Sequence, residues 1–329
     1  MIISKTPLRI SFAGGATDIP SFYKNNHYGC VLSAAINKYI YVTVKSHSEI
    51  FSEKIRLNYS NTEQVNSISR IKNPIIKACL KYLDIKDNIY ISTVADAPGS
   101  SGLGSSSTFC VGLLNALYNY KGKSVNRNKL AQDAAKIEIE ILKRPIGKQD
   151  HYAAAFGSIN LFKFYSDETV TVKPLDENSK NVKMIFENLH TFYTGLNRDA
   201  SKILKFQESR KKDNVKNLLK IRNQAEQLFE MLYNQKFTLK NFGEFLDTGW
   251  QIKKKLSNKI SNKIIDEAYN LAKKKGALGG KLSGAGGGGF INLVAKKKLK
   301  DLLIKSLSRR ELKYFPVELD STGTTIISK

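Results

Sequence analysis

The stretch DAPGSSGLGSSS, residues 96–107, holds three glycines and five serines within twelve positions, and its setting decides the fold. It follows a strand-like run at 88–94. It precedes residues 105–120, where Phe109, Leu113, Ala116, Leu117 and Tyr120 recur at three- and four-residue intervals, the period of an amphipathic helix. Strand, glycine loop and helix in that order suit an anion. Glycines let backbone N–H groups face it unobstructed, and the free N–H groups of the first helical turn add attraction. The expected phosphate-binding segment is therefore Pro98, Gly99, Ser100, Ser101, Gly102, Leu103, Gly104, Ser105, Ser106 and Ser107. A plain turn with a serine cap would need only one of these glycines. Ser105 stands where a Walker A loop carries its lysine, which excludes the ordinary P-loop nucleotidases.

Outward from this loop the first half alternates strand and helix patterns: strands at 39–45 and 54–58, helices at 75–83 and 128–142, the latter ended by Pro145 and Gly147, and a strand at 157–164. Beyond about residue 175 two short strands are predicted at 182–186 and 190–193. Helical patterns rich in Lys, Asn and Leu then fill 198–275, and a strand, helix, strand, strand pattern closes the chain. These patterns predict an α+β protein of two domains, 1–175 and 176–329.

The chain has 329 residues, of which 41% are hydrophobic and 25% charged, a balance that excludes disorder and fibrous repeats. No apolar run is long enough to span a bilayer, and the start MIISKTPLRISFAGG lacks the layout of a signal peptide, so a cytoplasmic protein is expected. Cys30, Cys79 and Cys110 are too few and too far apart for a disulfide framework or a zinc set, and read as reduced core residues. The net charge of +24 is compatible with nucleic acid, an anionic membrane or anionic metabolites. Its even spread over solvent-facing helical positions, without the aromatic and basic motif of an RNA reader, leaves a nucleic-acid-binding protein as the rival class.

A second glycine cluster contains Gly284, Gly286 and Gly289 in the spacing GxGxxG. It precedes the strand-like FINLV instead of a helix, so the dinucleotide-binding reading fails on context. Its glycines imply close backbone approach, either to another loop or to a ligand.

Three segments, PLRISFAGGATD, PGSSGLGSSS and KLSGAGGGGF, together resemble the GHMP kinase superfamily in order and spacing. Within it, AGGATD, RPIGKQDHYAAAFG (144–157) and YTGLNRDASKIL (193–204) are most similar to the branch of D-glycero-D-manno-heptose 7-phosphate kinases and fucose kinases. The resemblance implies an N-terminal domain like the second domain of ribosomal protein S5, a ferredoxin-like C-terminal domain, and an active site between them. It implies ATP and Mg2+ as cofactors and a small sugar phosphate as substrate. The reaction implied is transfer of the ATP γ-phosphate to the anomeric hydroxyl of D-glycero-D-manno-heptose 7-phosphate, in nucleotide-heptose synthesis for surface polysaccharide. A kinase for another sugar, such as fucose, would use the same catalytic residues.

The resemblance also assigns roles. Ser106 and Glu138, with Glu140 as fallback, would hold Mg2+ through hard oxygens. Asp150 would take the acceptor proton, Arg9 would counter its charge, and Lys148 would add positive charge beside the transferring group. His151, next to Asp150, reads as a bystander because neighbouring residues diverge. Asp18, assisted by Thr17, Gly14 and Gly15, would bind sugar hydroxyls, with Ser283, Gly284 and Gly286 approaching from the other side. Arg198 is the candidate for the phosphate already on the substrate.

Overall fold

Twelve residues of alternating and β-branched character form strand β1 (Ile2–Ala13), which runs antiparallel to the 19-residue β2 (Tyr28–Ser46). This is a computed structural model, and it describes residues 1–86, 88–196, 211–234 and 237–329. The far half of β2 pairs antiparallel with β5 (Ile89–Ala95), which also takes β3 (Ile55–Asn58) in parallel, and β3 forms a hairpin with β4 (Thr62–Val65). The near half pairs with β6 (Ile159–Tyr165), followed by β7 (Val170–Pro174). A second, four-stranded sheet joins β8 (Leu189–Tyr193), β9 (Gly279–Leu282), β10 (Phe290–Val294) and β11 (Lys313–Tyr314) in the order β11-β8-β10-β9. The last strand, β12 (Thr325–Ser328), returns to the first sheet and pairs with β1.

The helices in chain order are α1 (Pro20–Tyr23), α2 (Pro74–Tyr82), α3 (Ser105–Tyr120), α4 (Arg127–Ala135), α5 (Gln149–Phe156), α6 (Lys180–Glu187), α7 (Lys211–Tyr233), α8 (Leu239–Lys254), α9 (Lys263–Lys274) and α10 (Lys300–Ser308). α3 is the central one, with Cys110, Val111, Leu113, Leu114, Ala116 and Leu117 all removed from water. Cys30, Cys79 and Cys110 are free and buried. Among the described residues, no helix is long and apolar enough to cross a membrane.

Two expectations change. Residues 182–186, read as a strand, lie in α6: Ser179 caps it by accepting from the Val182 N–H at 3.3 Å, and Val182 and Ile185 bury themselves at helical spacing. The helix predicted over 128–142 loosens into a π-helical turn, Lys136–Ile141, which carries Glu138. Arg198 lies outside the described residues.

Candidate active site

A cavity of about 590 Å³ opens beside the N-terminus of α3, and it is walled by parts of all three glycine-bearing segments. Gly104 adopts a left-handed backbone (φ 82°) and starts α3, so the first turn directs three serines differently. Ser105 has a buried hydroxyl without a partner among the described residues, Ser106 donates to Glu138 Oε1 at 2.6 Å, and Ser107 is buried. Upstream, the Ser101 hydroxyl folds back onto the Pro98 carbonyl at 2.7 Å, and Leu103 is fully buried. Pro98, Ser101 and Leu103 therefore shape the loop from beneath, while Gly99, Ser100, Gly102, Gly104 and the three helical serines line the cavity.

Asp150 stands in the first turn of α5 with its side chain 22% exposed. Arg9, on β1, grips it with two parallel bonds, Nε to Oδ1 and Nη2 to Oδ2, each 2.7 Å, and gives Nη1 to the Gly102 carbonyl at 2.6 Å. The same guanidinium thus ties the carboxylate to the glycine loop. A Cβ on Gly104 would lie 3.2 Å from Asp150 Oδ2, so the loop and the carboxylate share one wall. Each carboxylate oxygen retains a lone pair for a further donor.

Asp18 is 2% exposed and accepts from the Gln149 backbone N–H at 3.0 Å, the Ala16 N–H at 3.1 Å and Gln149 Nε2 at 3.3 Å. Burial pushes its carboxyl up to about 6, with the nearby Asp150 charge adding, against the hydrogen bond from Gln149. Gly147 packs directly on this carboxylate: a Cβ there would sit 1.9 Å from Oδ2.

Glu138 is fully buried. Burial alone would raise its carboxyl, but His151 Nε2 at 2.9 Å, the Ser106 hydroxyl and Arg144 Nη1 at 2.7 Å outweigh burial and hold it at about 2. Arg144 Nη1 also meets Ser106 Oγ at 2.5 Å, so a cation already bridges the two oxygens. Such a pair of hard oxygens fits a divalent cation whose remaining ligands come from phosphate and water. Among the described residues no cluster of three or more acidic, histidine or cysteine side chains offers a self-sufficient metal cage. His151 is a bystander to Asp150, as expected, but not to Glu138. It turns away from Asp150, as adjacent helical residues must, and orients Glu138 from inside the protein.

Several sequence candidates face elsewhere. The Lys148 ammonium bonds Glu168 and lies over the Tyr23 ring, so its charge is committed away from Asp150. The Thr17 hydroxyl is occupied by backbone: it donates towards the Gly14 and Cys30 carbonyls and accepts from the Cys30 N–H at 3.0 Å. Gly14 packs against the Cys30 carbonyl, and Gly286 against the backbone of Ile260. The buried Ser283 hydroxyl accepts from Asn292 at 2.6 Å. Gly15 and Gly284 do line the cavity. The close approach that the second glycine cluster predicted is to another loop: a Cβ on Gly289 would lie 1.9 Å from the Ser101 carbonyl.

Among the cavity residues that the sequence reading did not single out are Ser11, Arg144, Gln149 and Lys281. Ser11 had a signal, since it shares the β1 face of Arg9 two residues away. Lys281 is 7% exposed and donates to the Phe12 carbonyl at 3.1 Å; burial, and after it the Arg9 charge, push its ammonium down to about 7.

Residues 70–158 match the family described as GHMP kinases N terminal domain, and residues 210–311 match GHMP kinases C terminal. A D-glycero-alpha-D-manno-heptose 7-phosphate kinase from Campylobacter jejuni is 31% identical over 94% of each chain. A galactokinase from Pyrococcus furiosus is 26% identical over 92% of this chain and 91% of its own. Among solved structures, a D-glycero-D-manno-heptose 1-phosphate kinase from Bacteroides thetaiotaomicron superposes with a TM-score of 0.82 at 26% identity, covering 100% of this chain and 99% of its own.

Proposed function

The chain belongs to the GHMP kinase family, and from that premise we propose that it is an ATP-dependent sugar kinase acting on a heptose phosphate. The acceptor in this reading is D-glycero-D-manno-heptose 7-phosphate, and its anomeric hydroxyl receives the γ-phosphate to give the 1,7-bisphosphate. The enzyme works in the cytoplasm on the way to nucleotide-activated heptose. The nucleotide-binding domain spans 1–175 and the C-terminal domain 176–329, with β12 returning to the first sheet.

The observation that carries the reading is the single wall shared by Arg9, Asp150 and the Gly102–Gly104 backbone. Phosphoryl transfer asks a protein mainly to align acceptor and γ-phosphate and to balance charge. In this reading the backbone N–H groups of residues 99–107 and the Ser105 hydroxyl hold the ATP phosphates. The Asp150 carboxylate accepts the proton of the acceptor hydroxyl, and Arg9 keeps it aimed while offsetting its charge. Asp18 accepts from sugar hydroxyls, and Gln149, whose Nε2 already donates to Asp18, accepts from another through its side-chain carbonyl. Ser106 Oγ and Glu138 would hold Mg2+, with Arg144 yielding its place between them. When bound, the ion neutralises charge on the phosphates.

The name of the Bacteroides thetaiotaomicron protein supports a second reading, in which the substrate carries its phosphate at position 1. ADP release measured against heptose 7-phosphate, heptose 1-phosphate, unphosphorylated heptose and fucose, with 31P NMR of the product, separates these. Turnover of unphosphorylated sugars without turnover of the 7-phosphate rejects the proposed acceptor. Asp150→Asn is expected to lower kcat by about a thousandfold while nucleotide affinity stays within about threefold. Undiminished turnover would remove Asp150 from the proton-accepting role.

A further inference from the structure

Most basic side chains on the cavity wall are already engaged. Arg9 grips Asp150, Arg144 bridges Glu138 and Ser106, and Lys253 gives its ammonium to the Gly284 carbonyl. Lys281 differs. Its ammonium carries three N–H donors, and among the described residues it meets the Phe12 carbonyl and no carboxylate. A lysine this deeply buried ordinarily has an anionic partner.

Two further polar atoms on the same wall, the Ser11 hydroxyl and the Gln149 side-chain carbonyl, are buried without partners among the described residues. Gly15 brings these residues together: a Cβ built on it would lie 3.5 Å from Ser11 Oγ and 3.6 Å from Gln149 Nε2. Lys281 borders the same backbone, because Phe12, Gly15 and Lys281 also line a small adjoining recess. Besides the Ser105 hydroxyl at the start of α3, the Ser11 and Gln149 atoms form a second unsatisfied group in the cavity, next to Gly15. Buried polar groups are almost always satisfied, so a concentration of exceptions in one cavity points to a ligand that completes them.

We propose that Lys281, with the Ser11 hydroxyl lining the same cavity, is an anion subsite for the phosphate that the acceptor sugar already carries, and that it selects sugar phosphates over free sugars. This rests on the reading of the acceptor as a phosphorylated sugar. The subsite supplies one full positive charge and a neutral hydroxyl donor, while the Gln149 carbonyl is left for a sugar hydroxyl. An ammonium poised near neutrality gains a proton readily once a phosphate arrives beside it.

The test compares wild type and Lys281→Met with MgATP, using D-glycero-D-manno-heptose 7-phosphate and the unphosphorylated heptose as acceptors. The preference for the phosphate, as a ratio of kcat/KM values, is expected to fall about tenfold or more. That fall should reside in KM for the sugar phosphate and not in KM for ATP. Ser11→Ala should shift the ratio in the same direction by about threefold, with the loss of one neutral hydrogen bond. Melting temperatures of both variants, no lower than wild type by more than about 3 °C, would show that the losses are local. Equal losses with both acceptors, or a loss confined to KM for ATP, overturn the subsite and leave the kinase reading standing. A wild-type enzyme that prefers the unphosphorylated heptose removes the phosphorylated acceptor and the subsite with it.

Discussion

Lys281 gives the cavity a measurable pH signature. A lysine whose ammonium is pushed from 10.5 to about 7 releases a proton on folding anywhere between those values. The unfolded chain then binds more protons, so this residue makes stability rise with pH across that window, and its cost is fully present below about 7. Denaturant titrations of wild type and Lys281→Met at pH 7 and pH 9 cancel the groups common to both. Wild type is expected to gain on the order of 2 kcal/mol relative to the variant over that interval. A constant difference would mean that the ammonium is not held against its charge. His151 makes a second case at this scale. It is buried 2.9 Å from Glu138 and points about 100° around α5 from Asp150, so the part proposed for it is to aim the Glu138 carboxylate. His151→Leu should raise the Mg2+ concentration for half-maximal rate by about 10- to 100-fold, and His151→Gln, which keeps a donor, by less. An unaltered Mg2+ requirement in His151→Leu would reduce the histidine to packing. Neither role could be read in the sequence, because each depends on which way one side chain faces after the elements meet.

The glycine loops were legible at the level of elements because glycine speaks about backbone. Residues 96–107 predicted strand, loop and helix, and the cavity lies against that helix start. The second cluster predicted close approach without saying to what, and the partner is the first loop itself. Gly289, with φ at 96°, leaves no room for a Cβ beside the Ser101 carbonyl. Gly289→Ala must therefore push the two loops apart or strain its own backbone. It should cost about 2–4 kcal/mol of stability and raise KM for ATP severalfold. Gly99→Ala is the matched control, since a Cβ there meets nothing within 4 Å and should leave stability within about 0.5 kcal/mol. Equal behaviour of the two variants would dissolve the idea that the loops brace each other. The misread segment, 182–186, failed for a different reason. Five residues hold both a strand pattern and one and a half helical turns, and the deciding signal, the Ser179 cap, lies outside them. β2 was underestimated because its near half is buried almost continuously and shows no alternation, as expected of a strand covered on both faces.

Across the whole molecule, the closing segment holds the first sheet together. Residues 317–329 leave the second sheet and thread back across the first, ending as β12 on β1. Asp320 N–H donates to the Ala35 carbonyl at 3.0 Å, and its own carbonyl accepts from Ser158 N–H at 2.6 Å, so one residue links β2 to the start of β6. Thr324 N–H donates to the Ala154 carbonyl at 3.0 Å, while its hydroxyl meets Thr6 at 2.8 Å and Asn115 at 3.1 Å. Arg127 adds a bond to the Thr322 carbonyl at 3.0 Å. These contacts reach β1, β2, α3, α4 and α5, of which β1 carries Arg9, α5 carries Asp150 and α3 follows the first glycine loop. Each bond contributes about 1 kcal/mol net. Their sum is comparable with the roughly 5–15 kcal/mol that separates a folded domain from its unfolded chain. A chain ending at residue 316 should therefore lose the first sheet as well as its own last strand. Its far-ultraviolet circular dichroism is expected to fall by more than the missing residues explain, and nucleotide binding should vanish. A truncated chain that still binds ATP with wild-type affinity would show that the nucleotide half stands without its closing strand.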